Sequence, residues 1–205
     1  PMPDGLKARI AGGIFTALYL RRPDHPAFSL WSATVDAIFS GPMPAGARAM
    51  FGFILVYHYA WIRGDRSRIA AILETLRNHI GKDFDALPAM SKILYCSCEA
   101  SLAFFFGERP EDCFEWVDRS VAVAAETGVH IWDAGAVVPA ISAALALEDV
   151  PRAKAYYDVL RGAYDKTQPG FAFIGANYAA HIAWQEGRHD DARELVDAIV
   201  DMGER

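Results

Sequence analysis

The feature that most constrains this fold is the regular division of the chain into segments of helical length. Proline and glycine cut the 205 residues into about ten such segments. Prolines fall at the first helical position, and a glycine often follows the last turn, as at Pro88, Pro110, Pro151 and Gly128. Apolar residues recur three or four positions apart, and no run alternates convincingly with period two. The sequence therefore predicts an all-α protein.

The segments form pairs, and the pairs repeat. The turn in Trp61–Asp65 (WIRGD) matches the turn in Trp184–Arg188 (WQEGR). This turn position recurs at intervals of 39 to 43 residues, at Arg22, Gly64, Gly107, Glu148 and Gly187. Four residues before it lie Leu18 and then four alanines, Ala60, Ala103, Ala144 and Ala183. Because short side chains let neighbouring helices cross closely, the pattern indicates stacked helical hairpins.

Part of this pattern resembles a known family. The spacing from Gly187 to Ala192 is similar to the tetratricopeptide pattern, although these units are longer. The stretches 122–133 (AVAAETGVHIWD) and 143–149 (AALALED) resemble repeats of the MalT-like, LuxR-type bacterial signal-transduction ATPases. In that family a superhelix of long repeats lies between an ATPase module and a DNA-binding helix-turn-helix. The resemblance covers residues 45–205 and implies the sensor or interaction segment of a transcription regulator.

We therefore expect a single helical-repeat domain over residues 1–205. It would be a right-handed α-solenoid of about five antiparallel, tetratricopeptide-like hairpins. The approximate repeats are 3–40, 45–80, 88–127, 131–164 and 171–202. The chain contains no Gly-x-x-x-x-Gly-Lys-[Ser/Thr] phosphate-binding loop and no basic helix-turn-helix at its end. We expect this chain to be a fragment of a longer protein, and we expect the adjacent domains of that protein to be its partners.

Tetratricopeptide geometry, carried over through the repeat register, predicts a groove on the concave face. Its lining would combine polar and aromatic side chains, which suit a small ligand or a peptide segment of a partner protein. The predicted groove residues are Thr16, Tyr19, His58, Trp61, Ser97, Ser101, Phe104, Ser142, Asn177, His181 and Trp184. The alternative is that these side chains pack against the adjacent hairpin and that the domain is a passive scaffold for protein assembly.

A remote alternative is an all-α magnesium-diphosphate enzyme. Asp190, Asp191 and Glu194 resemble the acidic motif of prenyl-transferring and terpene enzymes. The motif stands alone, and acidic residues in a first helical turn also complement the helix dipole. No nucleophile elbow or His-Glu-x-x-His motif is present in the sequence. We therefore expect no catalytic residues, no metal and no cofactor.

The composition of the chain argues against several other classes of protein. A net charge of -6 and a pI near 5.5 argue against direct contact with nucleic acid. The longest apolar stretch, Ala49–Ile62, is shorter than the roughly 20 residues that cross a bilayer, so no membrane contact is expected. Three cysteines, Cys96, Cys98 and Cys113, are too few for a disulfide framework and predict reduced, buried thiols. A cytoplasmic location is therefore expected.

Overall fold

The structure, a computed structural model, describes residues 4–22, 24–130, 133–163 and 169–203. All regular secondary structure in these ranges is helical, and none of them contains a strand. The predicted all-α class is confirmed. The chain divides into two compact units, Pro1–Cys98 and Glu99–Arg205. The single domain expected from the sequence stays a prediction.

The first unit contains two helical hairpins and the start of a fifth helix. Its helices are α1 (Asp4–Arg21), α2 (Phe28–Phe39), α3 (Ala45–His58), α4 (Arg66–His79) and the first part of α5 (Ala89–Phe106). A π-helical segment, Tyr59–Arg63, continues α3, and a 3₁₀ helix, Gly81–Ala86, follows α4. Helix α3 packs on α4 and also contacts both α1 and α2. The hairpins α1–α2 and α3–α4 are therefore neighbours.

A buried arginine fixes the connection between these two hairpins. Arg48 donates from Nη1 to the Phe39 carbonyl oxygen at 2.9 Å and from Nη2 to the Gly41 carbonyl oxygen at 2.8 Å. Its guanidinium also lies over the Phe39 ring, 5.6 Å from the centroid. These bonds satisfy carbonyl groups that the end of α2 leaves without helical partners. Helix α3 thereby holds the last turn of α2 in place.

The second unit is also built from helical hairpins. After the last part of α5 come α6 (Cys113–Thr127), α7 (Asp133–Ala136), α8 (Val138–Ala146), α9 (Val150–Ala163), α10 (Pro169–Gln185) and α11 (His189–Gly203). A 3₁₀ turn, Pro110–Asp112, precedes α6. Helix α8 pairs with α9, α10 pairs with α11, and α10 also contacts α8 and α9. The last hairpin of this unit thus packs on the hairpin before it through its first helix.

Three of the predicted turn positions hold a left-handed residue. Gly64, Glu148 and Gly187 all have positive φ, at 62°, 57° and 78°. Such a left-handed residue is the usual end of a helix. Gly107 differs, because it is not in the left-handed region. There a Cβ would lie 2.2 Å from the Ala103 carbonyl oxygen, so the close approach of that carbonyl requires glycine.

Helix α5 is strongly apolar. Among the described residues, Ala89–Phe106 is the helix that by length and composition could cross a bilayer. Of its 18 residues, 56% are buried inside the protein, and a buried core helix can have the same length and composition. Two of the cysteines, Cys96 and Cys98, are buried on this helix.

Candidate functional site

The structure distributes the predicted groove residues over three environments. His58, Ser97 and Ser101 are buried. Thr16, Tyr19, Phe104 and Ser142 are half-buried, and Asn177, His181 and Trp184 are exposed. The side chain of Trp61 lies outside what the structure describes. The positions therefore do not form one uniformly open stripe.

Two of the serines differ from the expectation for a clear physical reason. A serine inside a helix can donate its hydroxyl hydrogen to a carbonyl one turn earlier. Ser97 does so to Ile93 at 2.8 Å, and Ser142 does so to Val138 at 3.1 Å. The Ser142 hydroxyl also lies 2.7 Å from the Tyr178 hydroxyl on the following hairpin. Ser142 thus packs against its neighbour instead of lining an open groove, and Ser97 is part of the interior.

A cleft of about 580 Å³ lies within the first unit. Helix α2 forms one wall, and the end of α3, the π segment and α4 form the other. This volume is in the range of small-molecule sites. The cleft is lined by Phe28, Ser29, Ser32, Ala33, Asp36, Ala37, Ser40, His58, Tyr59, Ile62, Arg63 and Arg68. Both hairpins of the unit therefore contribute to one site.

Asp36 anchors the polar side of the cleft. Its carboxylate accepts hydrogen bonds from the Tyr59 hydroxyl and from Nε of Arg68, each at 3.0 Å. Nη2 of Arg68 contacts the other carboxylate oxygen, which makes the pair bidentate. The ion pair is partly exposed, with 33% of the Arg68 side chain and 19% of the Asp36 side chain accessible. Charge-assisted bidentate contacts of this kind hold both side chains in one geometry.

His58 forms the buried end of the cleft. Its Nε2 lies 3.0 Å from the Ser32 hydroxyl oxygen. The rings of Phe28 and Tyr59 lie edge-on to the imidazole, with centroids 5.1 and 4.9 Å away. Burial lowers the pKa of His58 to about 4, and the positive charge of Arg63 adds to this effect while Asp36 opposes it. The imidazole is therefore neutral at pH 7, and its Nδ1 has no hydrogen-bond partner among the described residues.

The π segment sets the geometry of this wall. In the equivalent turn of the last hairpin, the Arg188 amide donates to the Ala183 carbonyl, five residues earlier, at 2.9 Å. Here the Asp65 amide donates to the Tyr59 carbonyl, six residues earlier, at 3.1 Å. The turn thus encloses one extra residue. Single-turn π segments of this kind are frequent at functional sites, and this one carries Tyr59, Ile62 and Arg63 into the cleft.

Sequence reasoning found His58 and missed the other polar residues of the cleft. The repeat register considered only the first helix of each hairpin, whereas Ser32 and Asp36 lie on a second helix, α2. A signal was present, because Asp36 is the one charged residue in Phe28–Phe39. A lone carboxylate on an otherwise uncharged helix indicates a specific partner. The identity of that partner, Arg68, depends on how the two hairpins pack.

The acidic triplet that suggested an enzyme lies elsewhere. Asp190, Asp191 and Glu194 are exposed near the start of α11, and Asp191 forms an ion pair with Arg188 at 2.5 Å. Among the described residues, no group of three or more His, Cys, Asp or Glu side chains could hold a metal ion. The first two acids occupy the first turn of the helix, where negative charge complements the helix dipole.

Comparisons with known proteins do not assign this chain to a family. No protein-family model matches the chain, and neither a curated protein nor a solved structure matches it significantly.

Proposed function

We propose that this chain is a non-catalytic binding domain, and that the cleft in residues 1–98 binds a small ligand. The observation that carries the proposal is the cleft itself. It combines a volume of about 580 Å³ with polar side chains held by fixed partners on helices. Polar groups on a preorganised surface, next to apolar walls, are what a small-molecule site requires.

The proposed architecture is a tetratricopeptide-like array of hairpins. Its support is the contact of α3 with both helices of the hairpin before it, and the same contacts of α10 with α8 and α9. The left-handed turn residues Gly64, Glu148 and Gly187 add to it. A right-handed α-solenoid of about five hairpins stays a prediction.

The Ser32–His58 pair invites a catalytic interpretation, but its chemistry favours binding. In a serine nucleophile site, a carboxylate orients the histidine and stabilises its protonated form. Here Nδ1 of His58 has no such partner among the described residues, and Asp36 is engaged by Arg68 and Tyr59. A pKa of about 4 makes His58 a weak general base at neutral pH.

The proposed role is signal sensing within a bacterial transcription regulator. The cleft has one wall on the α1–α2 hairpin and the other on the α3–α4 hairpin. A ligand that contacts both walls stabilises one relative orientation of the two hairpins over others. It shifts the conformational equilibrium by the difference between its affinities for the two states. Neighbouring domains of a longer chain would respond to that shift.

The test is to fill the cleft from an exposed position. Ala33 is exposed on α2 and lines the cleft, so Ala33→Trp blocks the site without changing the core. The matched control is Ala71→Trp, at an exposed site on α4 outside the cleft. A fragment library containing neutral, anionic and cationic compounds is screened by NMR, with the Ile62 methyl groups as reporters.

We expect at least one fragment to shift the Ile62 methyl resonances of the wild type and of Ala71→Trp, but not those of Ala33→Trp. If the library yields no binder, or if Ala33→Trp binds the same fragments with the same affinity, the cleft is not a ligand site.

A passive scaffold for protein assembly is the second candidate function. It is favoured by one face of α10, where Phe173 and Trp184 are 41% and 63% exposed and where Asn177 and His181 are also exposed. Large exposed aromatic side chains are enriched at protein interfaces. If this function holds, Trp184→Ala weakens binding of a partner protein, measured by calorimetry, whereas Ala33→Trp leaves that binding intact.

A further inference from the structure

The side chains that line the cleft carry more positive than negative charge. Asp36 contributes one negative charge, and Arg63 and Arg68 contribute two positive charges, while His58 is neutral at pH 7. The Asp36 carboxylate is matched by Arg68, which contacts both of its oxygens. Arg63 has no ion pair with any described residue and is exposed. The site therefore keeps one uncompensated positive charge on a chain whose net charge is -6.

The effect of Arg63 extends into the buried end of the cleft. Its charge helps to lower the pKa of His58. Burial is the larger cause of this lowered pKa, and the Asp36 carboxylate acts in the opposite direction.

The remaining side chains that line the cleft indicate the chemical character of the rest of the ligand. Ala33, Ala37 and Ile62 give the cleft an apolar side, and the exposed fraction of Ile62 is 42%. The Ser29 hydroxyl is exposed on the same surface and makes no hydrogen bond with the described residues. An exposed apolar side chain beside a free cation and a free hydroxyl suits an amphipathic molecule. Its anionic group binds the polar groups, and its body covers the apolar ones.

We propose that the ligand of this cleft is a small organic acid, whose carboxylate pairs with Arg63 and whose apolar body packs on Ile62, Ala33 and Ala37. The proposal rests on the proposed binding function and adds the chemical class of the ligand. Arginine suits this role because its planar guanidinium can bind a carboxylate through two parallel hydrogen bonds.

The experiment compares three probes of nearly equal size and shape: benzoate, benzamide and benzamidine. Their charges at pH 7 are negative, zero and positive, so differences in affinity report the charge preference of the site. Binding is measured by NMR titration at low and high salt. We expect benzoate to bind about tenfold more tightly than benzamide and benzamidine to bind most weakly. The preference for benzoate should shrink at high salt because ions screen an exposed cation.

Two arginine variants then locate the charge. Arg63→Gln should weaken benzoate binding about tenfold and leave benzamide binding unchanged. Arg66→Gln removes the same charge from an exposed neighbouring position outside the cleft, and it should leave the preference intact. Circular dichroism verifies that both variants keep the helical fold.

The outcomes separate this inference from the proposed function. If benzamide or benzamidine binds as tightly as benzoate and Ala33→Trp blocks that binding, the cleft is a ligand site but the organic-acid assignment is wrong. If none of the three probes binds to the cleft, or if Arg63→Gln and Arg66→Gln act alike, the assignment is also wrong. Tighter binding of an oligoglutamate peptide than of benzoate would identify an acidic protein segment as the occupant and overturn the small-acid proposal.

Discussion

The buried His58 should make the stability of the protein depend on pH in a narrow window. In the unfolded chain its pKa is about 6.5, and in the folded protein burial lowers the pKa to about 4. Between these values the unfolded chain binds one more proton than the folded protein. The free energy of unfolding therefore falls as the pH falls from 6.5 to 4, and it is fully retained above that window.

The size of this effect follows from the two pKa values. The whole shift corresponds to about 3 kcal/mol, of which about 2 kcal/mol is lost between pH 7 and pH 4.5. His58 is 3% exposed, so solvent screening reduces the effect little. The charged groups that act on it, Arg63 and Asp36, oppose each other. Burial therefore determines the direction in which the pKa of His58 shifts.

The assay is urea unfolding followed by circular dichroism at several pH values. His58→Gln removes the titrating group, and His79→Gln removes an exposed histidine on α4 as the matched control. The stability difference between the wild type and His58→Gln should change by about 2 kcal/mol from pH 7 to pH 4.5. His79→Gln should follow the wild type. Parallel profiles for the wild type and His58→Gln would refute the argument, as would a titration of the His58 ring near pH 6.5 by NMR.

Three further predictions concern two glycines, one hydrogen bond and one buried thiol. Gly187→Ala should lower the free energy of unfolding by about 1 kcal/mol because φ is 78° at this position. Gly162→Ala should raise it by about 0.5–1 kcal/mol, since Gly162 lies in α9 with open space around it. Urea unfolding measures both changes. Tyr156→Phe should cost about 1 kcal/mol in the same assay, since it removes the 2.7 Å hydrogen bond to Asp118. Cys113 is buried, and burial raises the pKa of its thiol to about 12, so iodoacetamide at pH 7 should modify it only after unfolding, as mass spectrometry would detect.

The helical hairpins were predictable because their signals are local. A positive φ at Gly64 and Gly187 follows from the chain leaving a helix, and glycine adopts that conformation at low cost. The third predicted repeat differs, because Gly107 serves the close approach of the Ala103 carbonyl and not a left-handed turn. The same residue type at an equivalent position can thus meet two different steric demands, and the sequence does not distinguish them.

The cleft was predictable only in part. His58 was found because the repeat register places it on the inner face of its helix. Ser97 and Ser142 were assigned to the same stripe, but their hydroxyls bond to their own helices. The periodic pattern gives the direction of a side chain from its helix. It does not tell whether solvent or a neighbouring helix occupies the space in that direction.

The sequence by itself determined the helical class, the pairing of consecutive helices in the first two and last two predicted repeats, and the position of most turns. These features depend on residues within a few positions of one another. The tertiary structure alone decided that Asp36 pairs with Arg68, 32 residues later, and that Ser32 meets His58, 26 residues later. Such contacts form only when two hairpins pack at a particular angle and offset. That geometry results from the whole packed interface, so no short stretch of sequence specifies it.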